Sequence, residues 1–173
     1  EVFNLDADFP NLTIPAKRKG FDQLLVMAQG MTAEQLFQKC KEMFHAWKWI
    51  DKSLDEVLDQ AKSVRNPVKG SYAIWVRDRV EADEELKNLS ANDLKQRNIQ
   101  DITLEERLLY ELFYYWKFKK HLDTYNWTLC SGSRYGGGGV PLVSWSDIRD
   151  ELRVRWCRPD DAGGRLRSRE VVS

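Results

Sequence analysis

The chain has 173 residues, a formal net charge of zero and an apolar content of 42%. This length predicts one domain with a sizeable core, and the neutral charge does not favour a dedicated polyanion binder. No apolar run approaches the roughly 20 residues that cross a bilayer, and no charged-then-apolar leader opens the chain. We therefore expect a soluble protein without signal peptide or transmembrane segment, whose cellular location the sequence leaves open.

The first segment is predicted to contain an arm and a strand. Residues 1–20 lack a period and contain Pro10 and Pro15, which indicates an extended arm. Five apolar side chains would pack this arm on the domain: Phe3, Leu5, Phe9, Leu12 and Ile14. The apolar run 21–28 predicts a short strand.

Capping patterns predict the first two helices. A capping box at residues 32–35 begins a helix that runs to about Trp47. Its inward side chains would be Leu36, Cys40, Met43, Phe44 and Trp47. Ser53 begins a second helix that continues to about Val64 and is stopped by Asn66-Pro67.

The middle of the chain alternates strands and helices. Segments 71–77 and 127–129 predict strands, and Ser90 begins a short helix. A second capping box at residues 103–106 opens a long helix to about Lys120. Its apolar face carries Leu104, Leu108, Leu112, Tyr115 and Trp116.

The segment 78–87 is dense in carboxylates, which invites a metal site. No loop of calcium-binding spacing is present. A solvated helix is therefore the favoured interpretation, with Arg77 and Arg79 paired to nearby carboxylates.

Cysteine and histidine usage does not indicate a metal centre or an active site. Cys40, Cys130 and Cys157 are odd in number and far apart, and no His/Cys cluster accompanies them, which disfavours zinc and a disulfide framework. His45 and His121 stand alone, without a nucleophile nearby in sequence. We therefore predict a non-enzymatic protein that uses no cofactor.

Two strands near the C-terminus, 140–146 and 152–157, each have one face suited to a core. The opposite faces mix Leu, Ser, Arg and Cys, whereas a solvated face usually carries Lys, Glu and Thr. We predict that Val143, Trp145, Val154 and Trp156 are buried. We also predict that Leu142, Ser144, Arg153 and Arg155 are exposed together on one surface.

Composition sets this C-terminal stretch apart. All thirteen lysines lie at or before Lys120, and residues 135–173 contain seven arginines but no Asn, Gln or Met. Nineteen positions on the mixed strand faces and in the loops carry only residue types that a codon ending in C can encode, as random replacement of adenines in AAC-type codons would leave them. We call them the variable positions: Tyr135, Gly136, Gly137, Gly139, Leu142, Ser144, Ser146, Asp147, Ile148, Arg149, Arg153, Arg155, Cys157, Arg158, Asp161, Ala162, Gly163, Gly164 and Arg165. Ordinary drift in a Gly/Arg-rich loop region accounts for the composition equally.

The residues between the variable positions resemble the variable proteins of diversity-generating retroelements, whose variable region is built on a C-type lectin fold. We call these the frame residues: Cys130–Arg134, Gly138, Val140, Pro141, Val143, Trp145, Leu152, Val154, Trp156, Pro159 and Leu166–Ser173. Segments 70–83 and 102–109 are similar to the scaffold of the same family. The end of the chain is also distantly similar to the formylglycine-generating-enzyme type of lectin fold.

The resemblance implies an α+β, C-type lectin-like fold with several helices, a small irregular antiparallel sheet and much loop. It implies one domain over 1–173, with a scaffold in 1–129 and a variable region in 130–173. The implied function is non-catalytic ligand binding at a surface diversified by adenine-directed mutagenic retrohoming. The variable positions would then hold a protein partner of unknown identity, without metal or cofactor.

The arginines support an alternative function, nucleic-acid binding. Seven arginines with Tyr135 and two tryptophans make the C-terminal stretch basic and aromatic. Against it, Arg167 and Arg169 are frame residues that we expect to pair with carboxylates such as Asp78 or Glu81. An enzymatic function by analogy with formylglycine-generating relatives ranks third, because that similarity concerns the fold and not a site.

Overall fold

The computed structural model describes residues 12–173, which form a mixed α/β fold of four α-helices and two β-sheets. The elements in chain order are β1 (Gln23–Met27), α1 (Ala33–Met43), β2 (Ala46–Lys48), α2 (Leu54–Val57), β3 (Tyr72–Val76), α3 (Ala91–Gln96), α4 (Leu104–Phe118), β4 (Trp127–Leu129), β5 (Val140–Ser146), β6 (Glu151–Cys157), β7 (Leu166–Arg167) and β8 (Val171–Val172). Short 3₁₀ turns lie at Pro67–Lys69 and Glu84–Leu86. None of the helices within 12–173 is long and apolar enough to cross a membrane.

The strands form one small and one larger sheet. The smaller sheet has the order β1-β3-β8, and both pairings are antiparallel. The larger sheet has the order β2-β6-β5-β4-β7, with antiparallel pairs at its centre and parallel pairs at both edges. In the β5–β6 hairpin, Val143 lies opposite Val154 and Ser144 lies opposite Arg153. We call the side that carries Val143 and Val154 the inner face of this hairpin, and the side that carries Ser144 and Arg153 its outer face.

The main core lies between α1, α4, β1 and the inner face of the hairpin. Val143 and Val154 are fully buried there, and Trp145 is 7% exposed, so the predicted burial of these three residues is confirmed. The ring of Trp145 stacks on the imidazole of His121 at a centroid distance of 3.3 Å. Parallel aromatic stacking and side-chain burial therefore hold the inner face in place.

Local capping chemistry explains where the two longer helices begin. The hydroxyl of Thr32 accepts from the Gln35 amide (3.2 Å), and the Gln35 side chain accepts from the Thr32 amide (3.2 Å). Thr103 and Glu106 form the same reciprocal pair at the start of α4. Both capping boxes match the sequence prediction, as do the cap of α3 at Ser90 and the strands β1, β3 and β4.

Helix α1 is shorter than its prediction. It ends at Met43, because Phe44 adopts an extended backbone and its amide closes the last turn on Cys40. The chain then enters β2, which pairs with β6. Trp47 is consequently a strand residue with 39% exposure, not a buried helix residue.

The predicted helix from Ser53 to Val64 is a single turn. Ser53 caps it as expected, but the chain after Val57 bonds to the backbone of the variable region. Leu58 forms a bridge with Tyr135, and the Val64 amide donates to the Gly132 carbonyl (2.9 Å). These long-range bonds replace the helical ones.

The charged segment 78–87 is irregular apart from its 3₁₀ turn and is not the predicted helix. Its predicted ion pairs are confirmed. Arg77 binds the buried Asp83 at 2.5 Å, and Arg79 binds Glu85 at 2.6 Å.

The aromatic face of α4 differs from the prediction near the end of the helix. Tyr110 and Tyr114 are buried, whereas Tyr115 is half-buried and Trp116 is 66% exposed. The helix ends at Phe118, two residues early, because the next residue adopts a left-handed backbone.

The arm is described only from Leu12 onward, so the predicted contacts of Phe3, Leu5 and Phe9 lie outside the described residues. Ile14 is 51% exposed, which contradicts its predicted packing. The arm is instead attached by a polar contact, in which the Trp75 indole donates to the Pro15 carbonyl (2.9 Å).

A second core covers one end of the outer face. Leu142 is 4% exposed and packs with Leu86, Leu94 and Leu129. The predicted exposure of Leu142 is therefore wrong, because α3 and the turn before it lie across this part of the hairpin. Val140 lies in the same second core, whereas Ser144, Arg153 and Arg155 on the outer face lie outside it.

A buried ionic cluster joins distant parts of the chain. The carboxylate of Asp123 accepts from Arg107 (2.9 Å), Arg169 (2.8 Å) and the Ala82 amide (2.8 Å). Glu111 completes the pairing of Arg107 at 2.7 Å. Every charge in this cluster has an opposite partner, which is the condition for burying it.

Candidate functional site

The variable positions lie mainly at the two ends of the β5–β6 hairpin and in the loop after β6. Sixteen of the nineteen are exposed or half-buried, and only Tyr135, Leu142 and Ser144 are buried. Among the twenty-two frame residues, fourteen are buried. The division made from strand alternation, loop position and residue type therefore coincides largely with a division by solvent exposure.

Eight variable positions surround one groove of about 520 Å³ beside the β5–β6 turn. Four of them are arginines: Arg149, Arg153, Arg155 and Arg165. The other four are Ser144, Ser146, Asp147 and Ile148. We call this cavity the arginine groove.

The turn of the hairpin forms one rim of the arginine groove. The Ser146 carbonyl accepts from the Arg149 amide at 3.2 Å, and Asp150 takes a left-handed backbone (φ 50°) that Asp tolerates better than most residues. The turn lifts Ile148 away from the body of the protein, where it is 98% exposed.

A row of side chains crosses the sheet along the groove. Trp47 pairs in register with Arg153, which lies opposite Ser144, and Trp127 stands on the next strand. The guanidinium of Arg153 lies over Trp47 at 4.4 Å, and that of Arg155 lies over Trp127 at 4.7 Å. Cation–π contacts therefore hold Arg155 against an aromatic wall of the groove and Arg153 against Trp47, which lies outside the groove lining.

Ser144 forms the floor of the groove and is 2% exposed. Its predicted exposure is wrong, because Arg155 extends across it and donates to its hydroxyl at 3.4 Å. Arg153 and Arg155 are half-buried rather than exposed. The predicted placement of Ser144, Arg153 and Arg155 on one surface is nevertheless correct, since all three line the same groove.

Positive charge in the groove is only partly balanced. Arg153 forms an ion pair with Glu151 at 2.8 Å. Within the described residues, Arg149, Arg155 and Arg165 form no ion pair, and the Nε of Arg155 has no hydrogen-bond partner. Burial, and secondarily the adjacent Arg153, lower the pKa of Arg155.

The wall opposite the turn is held rigidly by scaffold carboxylates. Glu81 accepts from the backbone amides of Tyr125 (3.1 Å) and Asn126 (2.8 Å), and Asp123 anchors the start of the same loop. Arg165 lies over the Tyr125 ring at 5.3 Å. The groove is therefore a preformed depression with fixed walls.

The other end of the hairpin is more closely packed. Tyr135 is 5% exposed because its backbone pairs with Leu58 and its ring contacts Trp49 at 5.5 Å. Tyr135 was predicted to lie on the binding surface, and its burial contradicts that prediction. Cys157 is half-buried against the second core, and burial raises the pKa of its thiol to about 11.

The predicted burial of Trp156 is wrong. Trp156 lies on the inner face but beyond the last β2–β6 pair, at Lys48 and Val154, and it is 48% exposed. Its nearest aromatic neighbour is Trp49, at 6.1 Å between ring centroids. Along β6, the inner-face side chains are therefore buried up to Val154 and exposed at Trp156.

The frame arginines are structural, as expected, but their partners differ from the prediction. Arg169 binds Asp123 at 2.8 Å, and Arg167 binds Glu84 at 2.5 Å. Glu81 is not a partner because its carboxylate binds the backbone at Tyr125 instead.

The glycines of the frame and those at the variable positions differ in whether another residue would fit. A Cβ at the frame residue Gly132 would lie 2.7 Å from the Asp101 carbonyl oxygen, and the frame residue Gly138 has a left-handed backbone (φ 86°). A Cβ at Gly137, Gly163 or Gly164 would meet open space. At the other two variable glycines, an added Cβ would meet Trp156 at Gly139 (3.1 Å) and Val57 at Gly136 (3.8 Å).

Sequence reasoning missed the aromatic walls of the groove. The position of Trp127 can be derived from the alternation of side chains in β4, which places it on the same face as Leu129. The contact of Trp47 with Arg153 could not be predicted, because the sequence pattern places Trp47 in a helix. Tyr125 lies in a loop without any periodic signal.

Comparison of the chain with protein-family models, with curated proteins and with solved structures finds no match in any of the three. Within residues 12–173, no three His, Cys, Asp or Glu side chains are grouped as metal ligands. The site is a preformed groove with an excess of guanidinium groups, suited to binding carboxylates or other anions.

Proposed function

We propose that this chain is a non-catalytic ligand-binding display protein, with a C-type lectin-like fold, whose variable positions are diversified by adenine-directed mutagenic retrohoming. One observation carries the proposal. The positions on the outer strand faces and in the loops, all of which carry residue types that a C-ending codon can encode, are mostly solvent-accessible, whereas the frame residues between them are mostly buried. A diversified surface on a constant scaffold requires this division.

The energetics of substitution support the same proposal. Replacing an accessible side chain usually changes the free energy of unfolding by less than about 0.5 kcal/mol. A buried residue such as Val143 or Val154 does not tolerate comparable change. The protein would therefore accept many different groove surfaces without losing its fold.

The glycines add independent support. Within residues 130–173, the two glycines that the backbone requires, Gly132 and Gly138, are both frame residues. The five glycines at variable positions all lack a left-handed backbone, and three of them face open space. Other side chains would fit at most of these variable glycines.

Two features support the lectin-like fold within this proposal. The sheets are small and irregular, and long loops connect the elements after β3. The first and last strands of the described chain, β1 and β8, both pair with β3 and so close the molecule on itself.

The deciding experiment is to sequence the gene with its flanks. The expected result is a near-copy of the segment that encodes residues 130–173, close to a reverse transcriptase gene. Its mismatches should be adenines, confined to codons of the variable positions and absent from Gly132, Gly138, Val143 and Val154. A flanking sequence without such a copy, or mismatches spread evenly over frame codons, would refute the proposal.

Nucleic-acid binding is the second candidate, and the arginine groove with its aromatic walls is the observation in its favour. Against it, Arg167 and Arg169 are occupied by carboxylates of the same chain. Asp147 on the rim would also repel a phosphate backbone. A steep dependence of oligonucleotide affinity on salt would support this candidate, and a flat one would exclude it.

A further inference from the structure

We propose that the arginine groove of this particular chain binds an acidic segment of a protein partner, with carboxylates seated between Arg155 and Arg165. This inference rests on the proposed function, since it names the ligand class of the same surface. It depends on three observations about the groove: unbalanced charge, fixed geometry and an apolar rim.

The arginines of the groove differ from those of the scaffold in their counterions. Arg107 is buried, Arg65 and Arg77 are half-buried, and each of the three binds carboxylates of this chain within 3.0 Å. Arg155 is half-buried and has only the Ser144 hydroxyl at 3.4 Å. A guanidinium that has lost part of its hydration without gaining a counterion can recover that energy from a bound carboxylate.

The geometry favours carboxylate binding by orientation as well as by charge. Trp127 holds the Arg155 guanidinium from one side at 4.7 Å, and Tyr125 holds that of Arg165 at 5.3 Å. A planar guanidinium fixed against a ring presents its edge for a bidentate bond to a carboxylate. Little side-chain entropy is then lost on binding.

The rim points to a protein rather than a polynucleotide. Ile148 is 98% exposed at the turn and offers an apolar contact that a phosphate backbone cannot use. Asp147 and Glu151 place negative charge beside the arginines. A partner with alternating acidic and apolar side chains fits this mixture better than a uniform polyanion does.

The test uses the 173-residue chain and two capped hexapeptides, one of alternating Asp and Leu and one of alternating Asn and Leu. Binding is measured by calorimetry and by the fluorescence of the groove tryptophans. We expect the acidic peptide to bind at least about tenfold more tightly than its amide counterpart, because only carboxylates form charge-assisted bonds.

Two variants separate the groove from general charge. Arg155→Ser should weaken acidic-peptide binding by about tenfold or more, because the bidentate bond is lost. Arg97→Ser removes the same charge at an exposed position that is neither a variable position nor part of the groove lining, and it should change affinity by less than about twofold. Thermal unfolding of both variants checks that the fold is intact.

The inference is overturned if Arg155→Ser and Arg97→Ser weaken binding equally, or if the folded protein does not distinguish the two peptides. It is also overturned if oligothymidylate binds more tightly than the acidic peptide with a steep salt dependence. None of these outcomes bears on the template copy beside the gene, so failure here is distinguishable from failure of the proposed function.

Discussion

At the scale of single residues, a few buried carboxylates decide how tightly the scaffold is held. Asp123 lies in a loop, yet it joins α4, the segment around Ala82 and the chain end at Arg169. The loop that it anchors supplies Tyr125 to the groove wall. Groove geometry therefore depends on a residue that no ligand would touch.

Replacing Asp123 by Ala should destabilise the protein by about 3–5 kcal/mol, because Arg107 and Arg169 would remain buried without a shared counterion. Urea-induced unfolding measures this change. Glu85→Ala is the matched control, since Glu85 pairs with Arg79 at the surface and should cost less than about 1 kcal/mol. Similar losses in both variants would contradict the assigned role of the cluster.

Asp101 should make stability depend on pH. It is 6% exposed, and burial raises the pKa of its carboxyl to about 6. Because this pKa is higher in the folded than in the unfolded chain, protonated Asp101 favours folding, and that contribution is lost as pH rises from about 4 through about 6. The folded state is thus penalised at neutral pH.

The substitution Asp101→Asn removes this titration. We expect the variant to match the parent near pH 4 and to exceed its free energy of unfolding by about 2 kcal/mol near pH 7.5. Chemical unfolding at the two pH values measures the difference. An identical effect of the substitution at both values would show that Asp101 does not titrate in this range.

At the scale of elements, the β5–β6 hairpin has two faces with different tolerance of change. The inner face packs in the main core, and the outer face is divided between the second core and the groove. Exposure along the inner face also changes, from 7% at Trp145 to 48% at Trp156. Position along the strand therefore matters as much as the face.

Trp145→Ala should cost about 3–5 kcal/mol, because it removes a buried ring stacked on His121 and leaves a cavity. Trp156→Ala should cost less than half of that, since nearly half of the ring is already in water. Thermal and urea unfolding of the two variants provide the comparison. Equal costs would mean that the inner face is buried uniformly in solution.

At the scale of the whole molecule, the groove surface should be separable from the fold. A variant with Ser at Arg149, Arg153, Arg155 and Arg165 loses three cation–π contacts and one partly exposed ion pair, and it relieves repulsion among like charges. We expect its free energy of unfolding to change by less than about 2 kcal/mol. Calorimetry gives the measurement.

Gly132→Ala is the contrasting control for that variant. One methyl group placed 2.7 Å from the Asp101 carbonyl oxygen must displace backbone, so this single frame substitution should cost about 2–3 kcal/mol. If the groove variant with four substitutions is destabilised more than Gly132→Ala, the distinction between frame and variable positions is removed.

Most local structure followed from the sequence. Both capping boxes, the strands β1, β3 and β4, and the two faces of the hairpin occur where predicted. These features depend on neighbours within about four residues, so the sequence pattern contains the required information. The placement of Ser144, Arg153 and Arg155 on one surface follows from the same period of two.

Tertiary structure alone decided how much of each face is covered. Leu142 is buried by α3, Tyr135 by the chain after α2, and Ser144 by the reach of Arg155. Trp47 lies in β2, which pairs with β6, and not in the predicted helix. In each case the deciding contact joins segments far apart in sequence, and periodicity within one segment carries no information about which distant segment will lie against it.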